Sequence, residues 1–373
     1  MIAITLSSVK VGQRVVAHNK QLSTTNKQSF AELKIATTIQ NSPQLMFYRK
    51  YHSCIFKGYI MSDFSLTDIF NMREKEIYYV SNHISKHYKR VEIPKKTKGV
   101  RILYIPSKKL MYMQRIILNA FLSEYRISEC ATAYHKGSTL VSNAQPHRNK
   151  KYVLKLDIED FFGSITYGRV YKMFFKHFPV KYAKLFTELC CYNDKLVQGA
   201  PTSPAISNII MLDFDNRVES YCKENNISYT RYCDDITLSA DFSLDRTYHR
   251  IKKELQKAGF ELNKRKTHFV KNTHQQRITG VVVNEKIQVP IEYRKKLRQE
   301  LYYLYKFGAN NVILKNNYTD YISNGNTLDV KYINSLLGRI NYVLQIDPDN
   351  NEFVKEKEKL CSYVQQIKIQ KIF

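Results

Sequence analysis

The stretch Arg231-Tyr232-Cys233-Asp234-Asp235-Ile236-Thr237-Leu238-Ser239 sets two carboxylates side by side between two β-prone runs, 227–232 and 236–239. The pattern predicts a hairpin with the acids at its tip. Adjacent carboxylates repel unless a cation shares them. Mg²⁺ relieves that cost, because hard cations take carboxylate oxygens and keep a phosphate substrate as a further ligand. Neighbours on a strand face opposite ways, so only one of the pair can aim straight at the metal. An isolated Asp-Asp is commonly a solvated turn. Here a second acid-ended run exists: Val153, Leu154 and Leu156 lead to Asp157, followed by Ile158-Glu159-Asp160-Phe161-Phe162. A two-metal phosphoryl-transfer site needs carboxylates from separate segments to bridge ions roughly 3.5–4 Å apart. Asp157 with Asp234 and Asp235 supplies them.

The surrounding pattern shows what must position these acids. Gln198-Gly199-Ala200-Pro201-Thr202-Ser203-Pro204 reads as a turn entering an apolar helix, 205–212, where Gly199 lets backbone approach a nucleotide closely. The helix continues over 212–225, with Asp213 and Asp215 expected as surface or capping acids. Upstream, 65–87 has helical spacing, 95–106 reads as a β-hairpin with a basic tip, and 110–125 is an amphipathic helix. Asn143 and His147, four apart, share a helix face. Residues 167–192 read as a basic, aromatic helical region, and 248–258 as a helix closed by Gly259. A β-run with a Gly kink, 276–284, precedes helices from 291, over 330–346 and over 352–367. In the first of these, Lys295, Lys296 and Arg298 make a basic face opposite Leu301, Leu304 and Tyr305.

Composition narrows the partners. The 373 residues carry 59 Lys and Arg against 33 Asp and Glu, a net charge of +26, which favours a polyanion. With 28 Tyr and metal-type carboxylates, the polyanion expected is nucleic acid. Seven cysteines include no Cys-x-x-Cys pair, so neither a zinc site nor a disulfide framework is indicated, and reduced thiols in a cytoplasm are expected. No apolar run reaches transmembrane length and no signal peptide is apparent, so no membrane association is expected. Residues 1–60 are polar and rich in Ser, Thr, Asn and Gln; they are expected to be a peripheral or poorly ordered extension, with the working enzyme starting near Met61.

Taken together, these segments resemble motifs A, B and C of reverse transcriptases in their usual order and spacing. More narrowly, the chain resembles the retron reverse transcriptases. Asn143-Ala144-Gln145-Pro146-His147 is similar to the Asn-Ala-x-x-His signature upstream of motif A, and Ile278-Thr279-Gly280 sits where retrons carry Val-Thr-Gly. Cys233 stands where Ala is usual. The resemblance implies an α+β right hand: fingers and the start of the palm over 61–150, a palm of antiparallel sheet plus helices over 151–284, and a helical, RNA-binding thumb over 285–373. It implies RNA-directed DNA polymerisation with two Mg²⁺ ions on Asp157, Asp234, Asp235 and the Ile158 carbonyl.

Further roles follow from the resemblance. Arg101 and Lys98 of the basic hairpin would cap the dNTP triphosphate, with Lys95 and Lys96 competing for the second role. Gln198 and Gly199 would pack beside the nascent pair. Lys266 would assist the leaving pyrophosphate. Phe162, five residues after the first Asp, would lie under the sugar and exclude a 2′-hydroxyl, which argues for DNA synthesis over RNA synthesis. Asn143 and His147 would have a structural or RNA-contacting role. The biological partners implied are a cognate structured non-coding RNA, its cDNA product as multicopy single-stranded DNA, and an effector protein in anti-phage defence. A group II intron or diversity-generating reverse transcriptase, a catalytically idle RNA-binding scaffold and an RNA-copying RNA polymerase are the competing readings.

Overall fold

Residues 65–95, 99–323 and 326–370 are described by the computed structural model. The expectations for 1–60, for a start at Met61 and for Lys96 and Lys98 lie outside them. Ser65 caps α1 (Leu66–Phe70) by accepting from the Asp68 N–H, and Asn71, at φ 49°, ends it. The helical spacing seen over 65–87 is therefore divided, resuming as α2 (Glu74–Asn82). The strands β1 (Tyr88–Pro94) and β2 (Val100–Pro106) pair antiparallel, with Ile93 opposite Arg101. A Ser107 cap opens α3 (Lys108–Ala120).

The short α4 (Leu140–Ala144) starts at a Thr139–Ser142 capping box and passes at Pro146 into a 3₁₀ turn, Gln145–His147. Next come β3 (Tyr152–Asp157), α5 (Tyr167–Phe175) and α6 (Val180–Cys190), the two helices being separated at Pro179. The longest palm helix is α7 (Ser203–Glu224), which has Pro204 in its first turn, where a missing N–H is harmless. Then β4 (Ser228–Tyr232) and β5 (Asp235–Ala240) form the expected hairpin. In α8 (Asp245–Lys257) the end is closed by Gly259 at φ 76°, with the Phe260 N–H returning to the Leu255 carbonyl.

The palm sheet is completed by β6 (His268–Lys271), in the order β4-β5-β3-β6, every pair antiparallel. Central β3 and β5 are buried along most of their length, which is why they read as apolar runs rather than as alternating ones. Behind the fingers, Phe70, Phe121, Phe174, Phe178 and Phe186 pack with ring centroids 5.1–6.3 Å apart.

A second core forms around β7 (Arg277–Ile278) and β8 (Val281–Val282) with α9 (Ile291–Lys315), α10 (Asp329–Ile346) and α11 (Asn351–Gln370). Leu297, Leu301, Leu304, Ile333, Leu336, Ile340, Val343, Phe353 and Leu360 fill it at helical spacing. Within α9, Gly308 leaves helical geometry at φ 75° and ψ 159°, so what reads as one helix is kinked there. The α+β class and the helical C-terminal region expected from the sequence are both present. Among the described residues no helix is long and apolar enough to cross a membrane.

Candidate active site

Register brings the acids together. On adjacent strands, Asp157 lies directly opposite Asp235. One residue on, the Ile158 N–H donates to the Asp234 carbonyl at 3.0 Å. The hairpin closes in two residues, Cys233 and Asp234, since Tyr232 pairs with Asp235. Cys233 adopts φ 59° to make so tight a turn. Asp157 is buried, while Asp234 is partly covered and Asp235 is exposed at the tip.

The electrostatics are those of crowded carboxylates. Burial first, then the charge of Asp157, raises the pKa of Asp234 above the ordinary carboxylate value. Asp235 is pushed up to about 6 by partial desolvation, then by Asp234 and Asp157. Lys266 supplies an internal counter-charge: its ammonium donates to Asp157 Oδ2 at 2.7 Å, and that bond raises its own pKa. The fingers contribute as well, since the Arg101 charge reaches Asp234 and favours its ionised form.

Among the described residues, no three His, Cys, Asp or Glu side chains are gathered closely enough to grip a metal ion as they stand. The donor set nonetheless suits a hard dication. Its oxygens come from two adjoining strands, and the raised carboxylate pKa values express a repulsion that such an ion relieves.

Around the acids the expected neighbours separate. Phe161 is buried against Phe260, whereas Phe162 is only half-buried, 6.4 Å from the ring of Tyr134. Tyr134, at φ 66° and exposed, has a place beside Phe162 that was not apparent from the sequence. Gln198 docks the following loop on the fingers, its carbonyl accepting from the Tyr104 N–H at 2.8 Å. Gly199, at φ 114°, is required there because a Cβ would sit 2.6 Å from the Tyr104 carbonyl oxygen. The close approach that Gly199 permits in this structure is thus to β2.

One open alternative is narrowed and two expectations need correction. Asn143 and His147, expected in a structural or RNA-contacting role, are both buried, which favours the structural one. Asn143 accepts from Thr132 Oγ1 at 2.8 Å and donates to Thr279 Oγ1 at 3.2 Å. His147 bridges Ser239 (2.7 Å at Nδ1) and Thr230 (2.9 Å at Nε2), so the signature ties the palm sheet together from within. Asp215 is no surface acid: it is fully buried in an ion pair with Arg231. Arg298, expected to face phosphates, is held by Glu352 through a short Nε contact and a 2.6 Å Nη2 bond, joining α9 to α11. Lys295 and Lys296 are exposed. The Arg231–Asp215 pair had one sequence signal. A charged residue at an inward position of a buried strand demands a buried partner.

A four-stranded antiparallel palm with strand-end acids and a basic hairpin beside them is the arrangement expected of a template-directed polymerase. Residues 93–283 match the family described as reverse transcriptase (RNA-dependent DNA polymerase). The chain is 32% identical over 291 residues to the Retron Ec83 reverse transcriptase of Escherichia coli, covering 73% of this chain and 86% of that one. It is 34% identical over 238 residues to the Retron Mx65 reverse transcriptase of Myxococcus xanthus, covering 58% of this chain and 56% of that one. The match thus spans little more than half the length of the Myxococcus relative. A looser likeness, 12% identity and a TM-score of 0.44, links 80% of this chain to 68% of telomerase from Candida albicans. The chain belongs to the retron reverse transcriptases.

Proposed function

We propose that this protein copies part of a cognate structured non-coding RNA into DNA, yielding a branched RNA–DNA product, multicopy single-stranded DNA, within a retron that acts with an effector protein in anti-phage defence. The observation that carries the catalytic part is the register that sets Asp157 opposite Asp235 with Asp234 bonded across to Ile158. Membership of the retron family supports the RNA and product assignment.

In this reading Asp157, Asp234, Asp235 and the Ile158 carbonyl hold two Mg²⁺ ions. When bound, these ions activate the primer hydroxyl and neutralise the charge that builds on the transferring phosphate. Asp157 and Asp234 are the principal direct ligands, with Asp235 and the Ile158 carbonyl completing the donor set. Arg101 on β2 steadies the triphosphate of the incoming dNTP. Lys266 stands beside the acids as proton donor to the departing pyrophosphate. Phe162 forms the floor beneath the sugar and rejects a 2′-hydroxyl by steric clash. Gln198 and Gly199, docked on β2, carry the loop that packs beside the nascent pair. Lys295 and Lys296 on the exposed face of α9 contact duplex phosphates, where shape and charge rather than sequence are read.

Primer extension on an RNA template with Mg²⁺ and dNTPs tests the reading. Asp157→Asn and Asp234→Asn should each abolish synthesis while RNA binding persists. Full synthesis by either variant refutes it.

A further inference from the structure

Arg231 is the largest fully buried side chain among the described residues. It stands three residues before Asp234 yet faces away from solvent. Its Nε and Nη2 donate to Asp215, at 2.9 Å to Oδ1 and 2.6 Å to Oδ2. Nη1 donates to Asn208 Oδ1 at 3.1 Å and to the Cys233 carbonyl at 3.0 Å. Tyr229 adds a 2.6 Å bond to Asp215, and the Asn208 amide donates to the Ala133 carbonyl at 2.8 Å. Asn208 and Asp215 are seven apart, on one face of α7.

A buried ion pair is poor evidence for stability, because apolar replacements of similar volume are often neutral. The bond to Cys233 is of a different kind. Cys233 occupies the left-handed region, costly for a residue with a Cβ and kept only where the surroundings over-determine it. Arg231 fixes the carbonyl of the planar peptide that enters Asp234, and Ile158 fixes the Asp234 carbonyl itself. Both peptides flanking the acid are therefore pinned, one from α7 and one from β3. The same α7 begins at the loop carrying Gln198 and Gly199.

We propose that Arg231, anchored on Asp215 and Asn208, is a positioning residue for nucleotidyl transfer: it holds the Cys233 turn so that Asp234 meets divalent ions in the geometry Asp157 requires. The proposal rests on the two-metal reading above. It also makes α7 the rigid link between the loop beside the nucleotide and the acids.

Two variants test it. Arg231→Lys keeps a cation beside Asp215 but lacks the fork needed to serve Asp215, Asn208 and Cys233 together. The triple variant Arg231→Met, Asp215→Leu, Tyr229→Phe replaces the polar cluster with apolar volume. The readouts are thermal unfolding, Mn²⁺ binding to the protein without nucleotide by electron paramagnetic resonance, and primer extension across a Mg²⁺ titration. The Lys variant should unfold close to the wild-type temperature and bind Mn²⁺ about tenfold more weakly or worse, as expected when support behind a metal ligand is lost. It should need correspondingly more Mg²⁺ for half-maximal extension. A folded Lys variant with wild-type Mn²⁺ affinity and Mg²⁺ response overturns the proposal. If the Lys variant does not fold, the triple variant decides by the same measurements, and failure of both to fold assigns the cluster to stability and overturns it too. Absence of extension by the wild-type protein in any divalent metal would instead sink the polymerase reading.

Discussion

Substituting His147 by Gln should remove a specific part of the acid sensitivity of folding. The imidazole is fully buried, with Thr230 and Ser239 on its two nitrogens. Thr230 Oγ1 donates to the Asn143 carbonyl, so it accepts from Nε2–H, and Nδ1 accepts from the Ser239 hydroxyl. The network thus suits the neutral ring. Burial, with the charge of Lys150 as a lesser cause, lowers its pKa to about 3. The unfolded value is about 6.5. Between these values the unfolded chain binds a proton that the folded one refuses, so stability falls as pH drops below about 6.5 and keeps falling toward 3. At pH 5 the difference is about 1.5 pKa units, or roughly 2 kcal/mol. That is a shift of about 2–3 °C in unfolding temperature for a chain of this size. The measurement is thermal unfolding of wild type and His147→Gln between pH 7.5 and 5. Wild type should lose about 2 kcal/mol more than the variant over that interval. RNA affinity at pH 7.5 should be nearly equal in the two. Parallel pH profiles would refute the buried neutral assignment, and a selective loss of RNA affinity would restore the RNA-contacting role.

Three more outcomes are expected. In EDTA, Asp235 acts with the opposite sign: its folded pKa of about 6 exceeds the ordinary carboxylate value, so it favours folding below about pH 4 and this contribution fades as pH rises to 6. Asp235→Asn should remove that slope in metal-free thermal unfolding, and an unchanged slope would argue that the tip carboxylate is not crowded. Phe162→Val should raise ribonucleotide incorporation roughly tenfold or more relative to dNTPs, a change of ~1.4 kcal/mol in discrimination, measured as the ratio of kcat/KM values; no change would remove Phe162 from the sugar site. Replacing Lys295 and Lys296 together by Glu should weaken RNA–DNA duplex binding and flatten its dependence on salt, whereas Arg298→Ala, which breaks a helix-to-helix pair, should leave the salt slope nearly unchanged. Equal slopes for wild type and the Lys pair variant would place the duplex elsewhere.

What could be read in the sequence was what local chemistry dictates. The Asp234–Asp235 tip follows from a polar pair between β-prone runs, and Asp157 from an apolar strand with an acid at its exit; pairing then brings them together. The Gly259 helix end was legible for the same reason, since one residue type answers one backbone demand. Side chains whose meaning depends on distant partners were not. Asp215 and Arg298 have the same appearance in sequence as any charge on a helix, yet one is fully buried against β4 and the other ties α9 to α11. Asn143 and His147 show the limit most clearly. Their spacing implies one helix face, but α4 ends at Ala144 and His147 lies on the 3₁₀ turn that follows, and spacing carries no information on whether a side chain meets solvent, nucleic acid or core. Only the packing of the 3₁₀ turn against β4 and β5 decides it, by placing Thr230 and Ser239 on either side of the imidazole. The same packing explains why a polar signature can sit in this palm without touching substrate: the hydroxyls and amides satisfy one another, and the sheet beneath the acids is fixed by hydrogen bonds as well as by apolar contact.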